Sequence, residues 1–297
     1  MASVDLLKKL QEYNKPWCYQ YQRRLDTLEE DKKRYGWTDD DLANISLDEF
    51  VFENVTSEEV KKECKEFIER YEWLGTLSLY NSHYFTARYK GILGGVIIMG
   101  MPNAFSKMLG EGTEYKERLI NRGASAAWTC KNLGSKFLMW CIKWMVENTQ
   151  YRLFTAYSDP SALELGSIYQ ALNFYCCGQK SGSSVMCINP YDSTKIINDR
   201  RFRARSFYKK YAQDLSIEWG DNWNDDTKML WENIPDGIEK KLRDYSKEMF
   251  AKAEKIKVKP KIKWAFVLGR DKRETKQLRK KFLELNKIYE YPKERGK

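Results

Sequence analysis

Between residues 153 and 177 the chain runs apolar, polar, apolar in an order that few folds accommodate. Residues 153–157 and 174–177 each have the length and apolar content of a buried strand, and Ser158-Asp-Pro opens a helical stretch between them. A strand–helix–strand unit of this size predicts a helix packed on a sheet. Asp159 then falls where a strand gives way to a helix, the usual place for a site in an open α/β sheet. In a continuous helix, Tyr169 and Asn173 stand at i and i+4 and share one face. Gly166 between them costs roughly 1 kcal/mol relative to Ala, which points to close approach of another group. Capping is a second explanation of Asp159, because Ser158-Asp159-Pro160 is a good N-cap with Pro at the first helical position.

Around this unit the pattern predicts a hairpin (residues 85–89, a Lys90-Gly91 turn, residues 92–101 with Gly94-Gly95 as a bulge) and a short helix over 104–109. A strand from about 117 to 120 follows, then a helix over 135–148 with Phe137, Leu138, Cys141, Ile142, Met145 and Val146 as its apolar stripe. Further strands are predicted near 185–188 and 261–268. Charged helices are predicted over 238–255 and in the last 28 residues, and residues 217–231 are rich in Trp, Asp and Asn. Residues 6–30 and the stretch after Ser57 read as helices. The expected organisation is a helical N-terminal extension (1–70), an α/β (α+β) core with a mixed, mostly antiparallel sheet flanked by helices (71–194), and a basic C-terminal region (195–297).

At 297 residues the chain can form one large domain with appendages, or two smaller ones. No apolar run reaches the roughly 18 residues of a membrane span, and the first residues lack the apolar segment of a secretory signal. Seven irregularly spaced cysteines without a CxxC argue for reduced thiols, so a cytoplasmic location is expected. The net charge of +10 is uneven: from Lys195 onward there are 29 Lys+Arg against 17 Asp+Glu, leaving the first 194 residues near neutral. A basic last third suits a polyanion, most simply nucleic acid, with a solvated charged surface as the plainer alternative.

Three further features carry chemistry. Lys131-Asn132-Leu-Gly134-Ser135 leads into a helix N-terminus, whose unpaired N–H groups and positive dipole end can seat a pyrophosphate; Asn132 or Ser135 can equally be a plain cap. His83 is the only histidine and precedes Tyr84 at the mouth of the first core strand. It can act as a general base, or be structural. Arg200-Arg201-Phe-Arg203-Ala-Arg205-Ser-Phe-Tyr-Lys209-Lys210 interleaves cations with aromatic rings, the combination that contacts phosphates and stacks on bases. Residues 255–263 alternate lysine with apolar residues, as in a lysine-protected edge strand.

On these residues the chain resembles the Mom family of bacteriophage DNA-modification proteins, which are related in fold to GNAT acetyltransferases. The segments that carry the resemblance are Arg122-Gly-Ala with Trp128, residues 131–135, and Tyr157-Ser-Asp159 through Gly166-Ser-Ile-Tyr169-Gln-Ala-Leu-Asn173-Phe. The ending, from Trp264-Ala-Phe-Val-Leu-Gly269 to Tyr291-Pro-Lys, matches more loosely, and the first 70 residues lie outside the resemblance. It implies a GNAT-like fold and transfer of a carbamoylmethyl group to adenine N6 in double-stranded DNA, protecting phage DNA from restriction. It implies functional roles for Asp159 and Tyr169 and for the His83-Tyr84 pair, a donor such as acetyl-CoA or a related CoA thioester, and iron. In acetyl-CoA-dependent acetyltransferases the loop carries a basic residue, two spacers, Gly, one spacer and a small residue. Lys131, Gly134 and Ser135 fit, and Lys136 departs from the last small position.

Such chemistry needs a proton acceptor, since the adenine N6 lone pair is delocalised into the ring. Asp159 is the expected acceptor and Tyr169 the expected donor to developing charge. The target atom lies inside the stack, so the base must be flipped out. Two alternatives stay open: a GNAT N-acetyltransferase acting on a protein or small-molecule amine, and a non-catalytic phage DNA-binding protein.

Overall fold

The computed structural model describes residues 18–75, 77, 80–102, 104–179, 185–218, 234–257 and 259–294. Within these, the side chains of residues 194–196, 198, 200, 205 and 257 are not described. The expected start of the first helix before residue 18, and most of the Trp- and Asp-rich stretch at 217–231, lie outside the described residues.

The first elements are α1 (Tyr19–Tyr35), ended by Gly36 in the left-handed region, and α2 (Asp39–Ala43), opened by a Thr38–Asp41 capping box. Then come β1 (Phe50–Val55) and α3 (Glu58–Tyr71), which buries Cys64, Phe67, Ile68 and Tyr71. The hairpin β2 (Asn81–Tyr89) and β3 (Ile92–Gly100) turns at Lys90 (φ 48°) and Gly91 (φ 82°), the positive angles that a two-residue turn requires. β4 (Glu117–Ser125), α4 (Leu133–Asn148), β5 (Leu153–Ser158), α5 (Ser167–Ala171) and β6 (Tyr175–Gln179) follow. Next are β7 (Val185–Asn189), β8 (Asp192–Asn198), α6 (Arg205–Asp214), α7 (Asp236–Lys252) and β9 (Lys255–Lys257). The chain closes with β10 (Ile262–Val267) and α8 (Lys272–Leu285).

Two compact units result: Met1–Lys180 with Lys261–Lys297, and Ser181–Pro260. The expected boundaries at 70 and 194 are therefore corrected. The first 70 residues are no lead-in. β1 is the edge strand of the main sheet, paired antiparallel with β2, and α3 contributes to the core. The C-terminal region divides as well, because β10 and α8 belong to the first unit.

The first unit is built on a seven-stranded sheet of order β1-β2-β3-β4-β5-β10-β6. Every pairing is antiparallel except β4 with β5. The expected mixed, mostly antiparallel sheet flanked by helices is thus present. α4 covers one face with the predicted stripe, and Trp144 meets Phe85 edge-on at 5.5 Å. α3 lies on the other face of β2, where its Glu63 pairs with Arg88. α8 buries Phe282 in a cluster with Ala265 and Val267. The helix expected over 104–109 is absent among the described residues of that stretch, which forms turns instead.

The second unit has a three-stranded sheet, β8-β7-β9, with α6 and α7. Its core is aromatic: Phe202, Phe207, Tyr208 and Tyr211 are buried with Cys187 and Leu242. β9 is an edge strand, as the alternating lysines predict, but the end of that 255–263 stretch, Ile262-Lys263, opens β10, an interior strand of the first unit's sheet. All seven cysteines are free thiols, and among the described residues no helix is long and apolar enough to cross a membrane.

Candidate active site

The parallel strands β4 and β5 pair only over Glu117–Leu119 with Leu153–Thr155. Beyond those residues no ladder pair joins them, although β4 runs to Ser125 and β5 to Ser158. The sheet therefore opens at their carboxyl ends, where α/β folds place ligands. A register shift between Ile98 and Met99 puts one extra residue, Asn121, into β4 at this point. Such a bulge bends a strand and re-aims its side chains, here Arg122.

One wall of the opening is the loop from Ala126 to α4. Asn132 is the N-cap at φ 68°, and it gives no side-chain cap to the helix. The first-turn N–H groups thus have no side-chain acceptor from the cap residue, and no acidic residue stands in that turn. Ser135 Oγ donates back to the Asn132 carbonyl at 3.0 Å, while Lys131 is exposed. Lys136, the departure from the expected small residue, is drawn to Asp48 at 2.7 Å. Arg24 donates to the Ala126 carbonyl at 3.2 Å. A Cβ on Gly134 would lie 3.4 Å from Ile168 Cδ1, so the first turn of α4 abuts α5.

The other wall is the stretch after β5, which differs from the expected continuous helix. Pro160–Ala162 is a single 3₁₀ turn, Leu163 takes a left-handed conformation, and α5 begins only after Gly166 (φ 68°). Gly166 answers the close approach foreseen for it: a Cβ there would fall 2.5 Å from the buried Trp264 indole. That indole donates to Ser158 Oγ at 2.9 Å. Asn173 is a correction. It lies beyond α5 at φ 57°, exposed, and does not share a helical face with Tyr169. Its N–H bonds to the Gln170 carbonyl and that of Phe174 to the Tyr169 carbonyl, so Asn173 is the left-handed residue that ends the helix.

Asp159 does cap the 3₁₀ turn, accepting from Ser161 N–H at 2.9 Å, and its other oxygen lies 3.4 Å from Lys261 Nζ. Two carboxyls that the sequence pattern did not single out have raised pKa values. Glu164 accepts from the Asp159 N–H at 2.8 Å and from Trp73 Nε1 at 2.8 Å. Burial raises its pKa, with the charges of Asp159 and Glu72 acting the same way against those two donors. Glu72, just past α3, accepts from Gly75 N–H at 2.7 Å; burial raises it as well, opposed by the charge of Arg122.

Tyr169 joins the same cluster. Its ring packs on Phe174 at 5.2 Å and Trp264 at 5.7 Å, and its hydroxyl has no hydrogen-bond partner among the described residues. Burial first, then the negative charges of Glu164 and Glu72, keep the phenol protonated, against Arg122. Glu164 thus adjoins both expected residues, holding Asp159 by its backbone and acting on Tyr169 by its charge. A signal for it existed in the sequence: an ionisable residue inside the apolar run Ala162-Leu-Glu-Leu165.

His83 and Tyr84 are neighbours in an extended strand and so point to opposite faces. His83 lies among Trp144 (6.3 Å), Tyr151 (6.1 Å) and Ser82, whose Oγ is 2.8 Å from Nδ1. Burial and the nearby Arg118 charge lower its pKa. Tyr84 is buried beneath Lys61, 5.9 Å from its ring. Neither makes a hydrogen bond, ion pair or ring contact with Asp159, Glu164 or Tyr169 among the described residues. Nor is there, among those residues, any group of three His, Cys, Asp or Glu side chains able to hold a metal ion, so they do not fit the implied iron.

In the second unit, Arg201 and Lys210 line a cleft of about 650 Å³ with Asn189, Tyr191, Ser193 and Phe207. Lys210 Nζ stands 4.7 Å over the Tyr191 ring, Arg201 5.7 Å over Phe207, and Arg203 pairs with Asp199 at 3.0 Å. Lys209 is half-buried, and the side chains of Arg200 and Arg205 lie outside the described residues.

The family model described as "Mom protein family" matches residues 53–226, more than half of the chain, and so includes part of the region expected to lie outside the resemblance. No curated protein matches. Among solved structures, the chain is similar to a GNAT family acetyltransferase from Elizabethkingia anophelis with acetyl-CoA bound (11% identity, 74% of this chain and 99% of that one, TM-score 0.33). It is also similar to an IAA acetyltransferase from Bacillus cereus (13%, 74% and 99%, TM-score 0.36). A third is a Bacillus subtilis acetyltransferase in complex with CoA (10%, 74% and 97%, TM-score 0.32). Scores this low support no inference about this chain by themselves.

Proposed function

This chain belongs to the Mom protein family, and on that premise we propose that it is a transferase that modifies DNA, moving a carbamoylmethyl-type, acyl-derived group to adenine N6. The observation that carries the reading is the convergence, beside the opening between β4 and β5, of Glu72, Glu164, Arg122 and Tyr169. Two half-buried carboxyls whose pKa values are raised hold a proton more readily than free carboxylates, which suits a proton acceptor.

The α4 cradle fits a pyrophosphate-bearing donor such as a CoA thioester, because its N-terminus lacks a side-chain cap and Lys136 is held away by Asp48. Lys131, Asn132, Gly134 and Ser135 would hold that donor, which supplies an activated carbon when bound. With a CoA thioester as donor, the transfer would form one bond from N6 to the thioester carbonyl carbon and break that carbon's bond to sulfur, which would leave as the CoA thiol; a carbamoylmethyl product would instead need a donor whose methylene carbon bears the leaving group. The N6 proton passes to the Glu72–Glu164 pair, and the neutral Tyr169 phenol donates to the charge that develops. Asp159, held by Lys261 and the 3₁₀ turn, fixes the loop that carries Glu164. The cations of the second unit, Arg201, Arg203 and Lys210 with Lys209, Arg200 and Arg205, supply contacts to the DNA backbone in this reading.

The test is mass spectrometry of nucleosides from DNA of bacterial cells that express the protein. A mass shift on deoxyadenosine, lost in Glu164→Gln and Tyr169→Phe, is the expected result. Unmodified DNA together with acetylation of a peptide or polyamine by the purified protein would replace this reading with that of an ordinary N-acetyltransferase. DNA binding with no modified product in any assay would favour a non-catalytic DNA-binding protein.

A further inference from the structure

We propose that the exposed face of α8, formed by Lys272, Arg273 and Lys276, is a docking surface for the phosphate backbone of duplex DNA; the choice of DNA rests on the reading above. The charge surplus points there first. Lys261–Lys297 carries 13 Lys+Arg against 5 Asp+Glu, whereas Ser181–Pro260, which contains the basic segment singled out in the sequence, carries 16 against 13.

The second argument is how exposed cations are treated elsewhere in this molecule. On α7, Arg243, Lys247 and Lys252 each have a carboxylate one turn away, Glu239, Asp244 and Glu248, at 2.5–2.8 Å. On α3, Lys61 pairs with Glu58 at 2.7 Å. Partners at i+3 or i+4 thus neutralise these four cations. Lys272, Arg273 and Lys276 have none: all three are exposed, and no carboxylate lies within ion-pair distance of them among the described residues, a cluster of three on one face where α7 leaves the adjacent Lys240 and Lys241. Glu274 of the same turns is turned away to Arg152 at 3.1 Å.

Helical spacing puts the three cations on one face. The opposite stripe, Leu278 and Phe282, is packed in the cluster with Ala265 and Val267. That stripe is therefore not available to enter a lipid surface, which is what a membrane-seated amphipathic helix requires. A row of unneutralised cations opposite a covered stripe fits a polyanion that is read from outside, and duplex DNA is the strongest such field; Leu283 and Leu285 of the same helix are exposed, so the test below includes a lipid surface.

The experiment measures binding of the full-length protein to a labelled duplex of about 30 base pairs across roughly 50–200 mM salt. Substituting Lys272→Gln, Arg273→Gln and Lys276→Gln together is expected to weaken binding at least tenfold and to reduce the log–log salt slope by about 2–3, near 0.9 per lost contact. The α7 pair Arg243→Gln with Lys247→Gln is the control and leaves the slope unchanged, while Lys272→Arg with Lys276→Arg retains binding. An unchanged slope in the triple variant, an equal effect of the α7 control, or no duplex binding by the wild type overturns the proposal. Binding to anionic phospholipid vesicles, lost in the triple variant while duplex binding persists, overturns it in favour of a membrane surface. The transferase reading fails separately: duplex binding through α8 with no modified nucleoside leaves this surface standing and removes the chemistry.

Discussion

The opening between β4 and β5 and the outer face of α8 treat charge in opposite ways. Near the opening, Glu72 and Glu164 are half-buried, and loss of hydration raises both pKa values. On α8, Lys272, Arg273 and Lys276 keep their hydration and lack ion-pair partners among the described residues. The difference teaches how one chain obtains two electrostatic effects. Desolvated groups exchange protons at useful pH but act only over a few ångströms, whereas hydrated ones attract a polyanion over about a Debye length and are screened by salt.

The largest effect that would sharpen this contrast lies at Glu164. Glu164→Gln should lower nucleoside modification by about 10²–10⁴-fold, measured by mass spectrometry, if the carboxyl takes the proton. The amide also turns an N–H toward either Trp73 or Asp159 N–H, so a destabilisation of about 1–3 kcal/mol in a denaturant melt should accompany it. Activity that survives in Glu164→Gln and in Glu72→Gln would erase the distinction between the two regions.

A second effect concerns pH. A carboxyl whose folded pKa is raised contributes stability that is fully present below its unfolded value, about 4.3, and is lost as pH rises through the folded value. The wild type should therefore lose stability relative to Glu164→Gln as pH climbs above about 4.3. Thermal melts across that range check the sign: a wild-type advantage that widens with rising pH, instead of shrinking in favour of the variant, contradicts a raised carboxyl. His83 supplies the reverse case. Its pKa is lowered, so its contribution is present above about 6.5 and lost as pH falls through the folded value. His83→Gln should flatten the melt on the acid side and leave transfer near wild type.

The smallest effect belongs to α8. Single substitutions at Lys272, Arg273 or Lys276 should change stability by no more than about 0.5 kcal/mol, and a melting shift well beyond that would show that the helix face serves packing.

Much of this was legible in the sequence, for identifiable reasons. The α4 stripe and the strands at 153 and 262 are strong apolar patterns with little competition from other periods. Asp159 and the Lys131–Ser135 turn could be singled out because turn chemistry marks them, and Tyr169 because helical spacing set it beside Asn173. The helix expected through Asn173 was wrong because Leu163 and Gly166 adopt left-handed angles that pattern alone does not announce. Glu72 and Glu164 were missed because their perturbation comes from burial by segments far apart in the chain. Trp73 meets Glu164, and Trp264 lies beneath Gly166, only once the sheet is complete. β1 was missed because its exposed edge, with Val51 in solvent, blurs the alternation.

That last dependence has a consequence for biosynthesis. β10 fills the place between β5 and β6 but is encoded after the whole of Ser181–Pro260. A growing chain that has already made Asp159, Glu164 and Tyr169 still lacks Lys261 and the Trp264 indole that back them. The surroundings of Asp159, Glu164 and Tyr169 are therefore completed only after β10 has been made, and a chain stopped before it would keep a bare strand edge, open to proteolysis and mispairing.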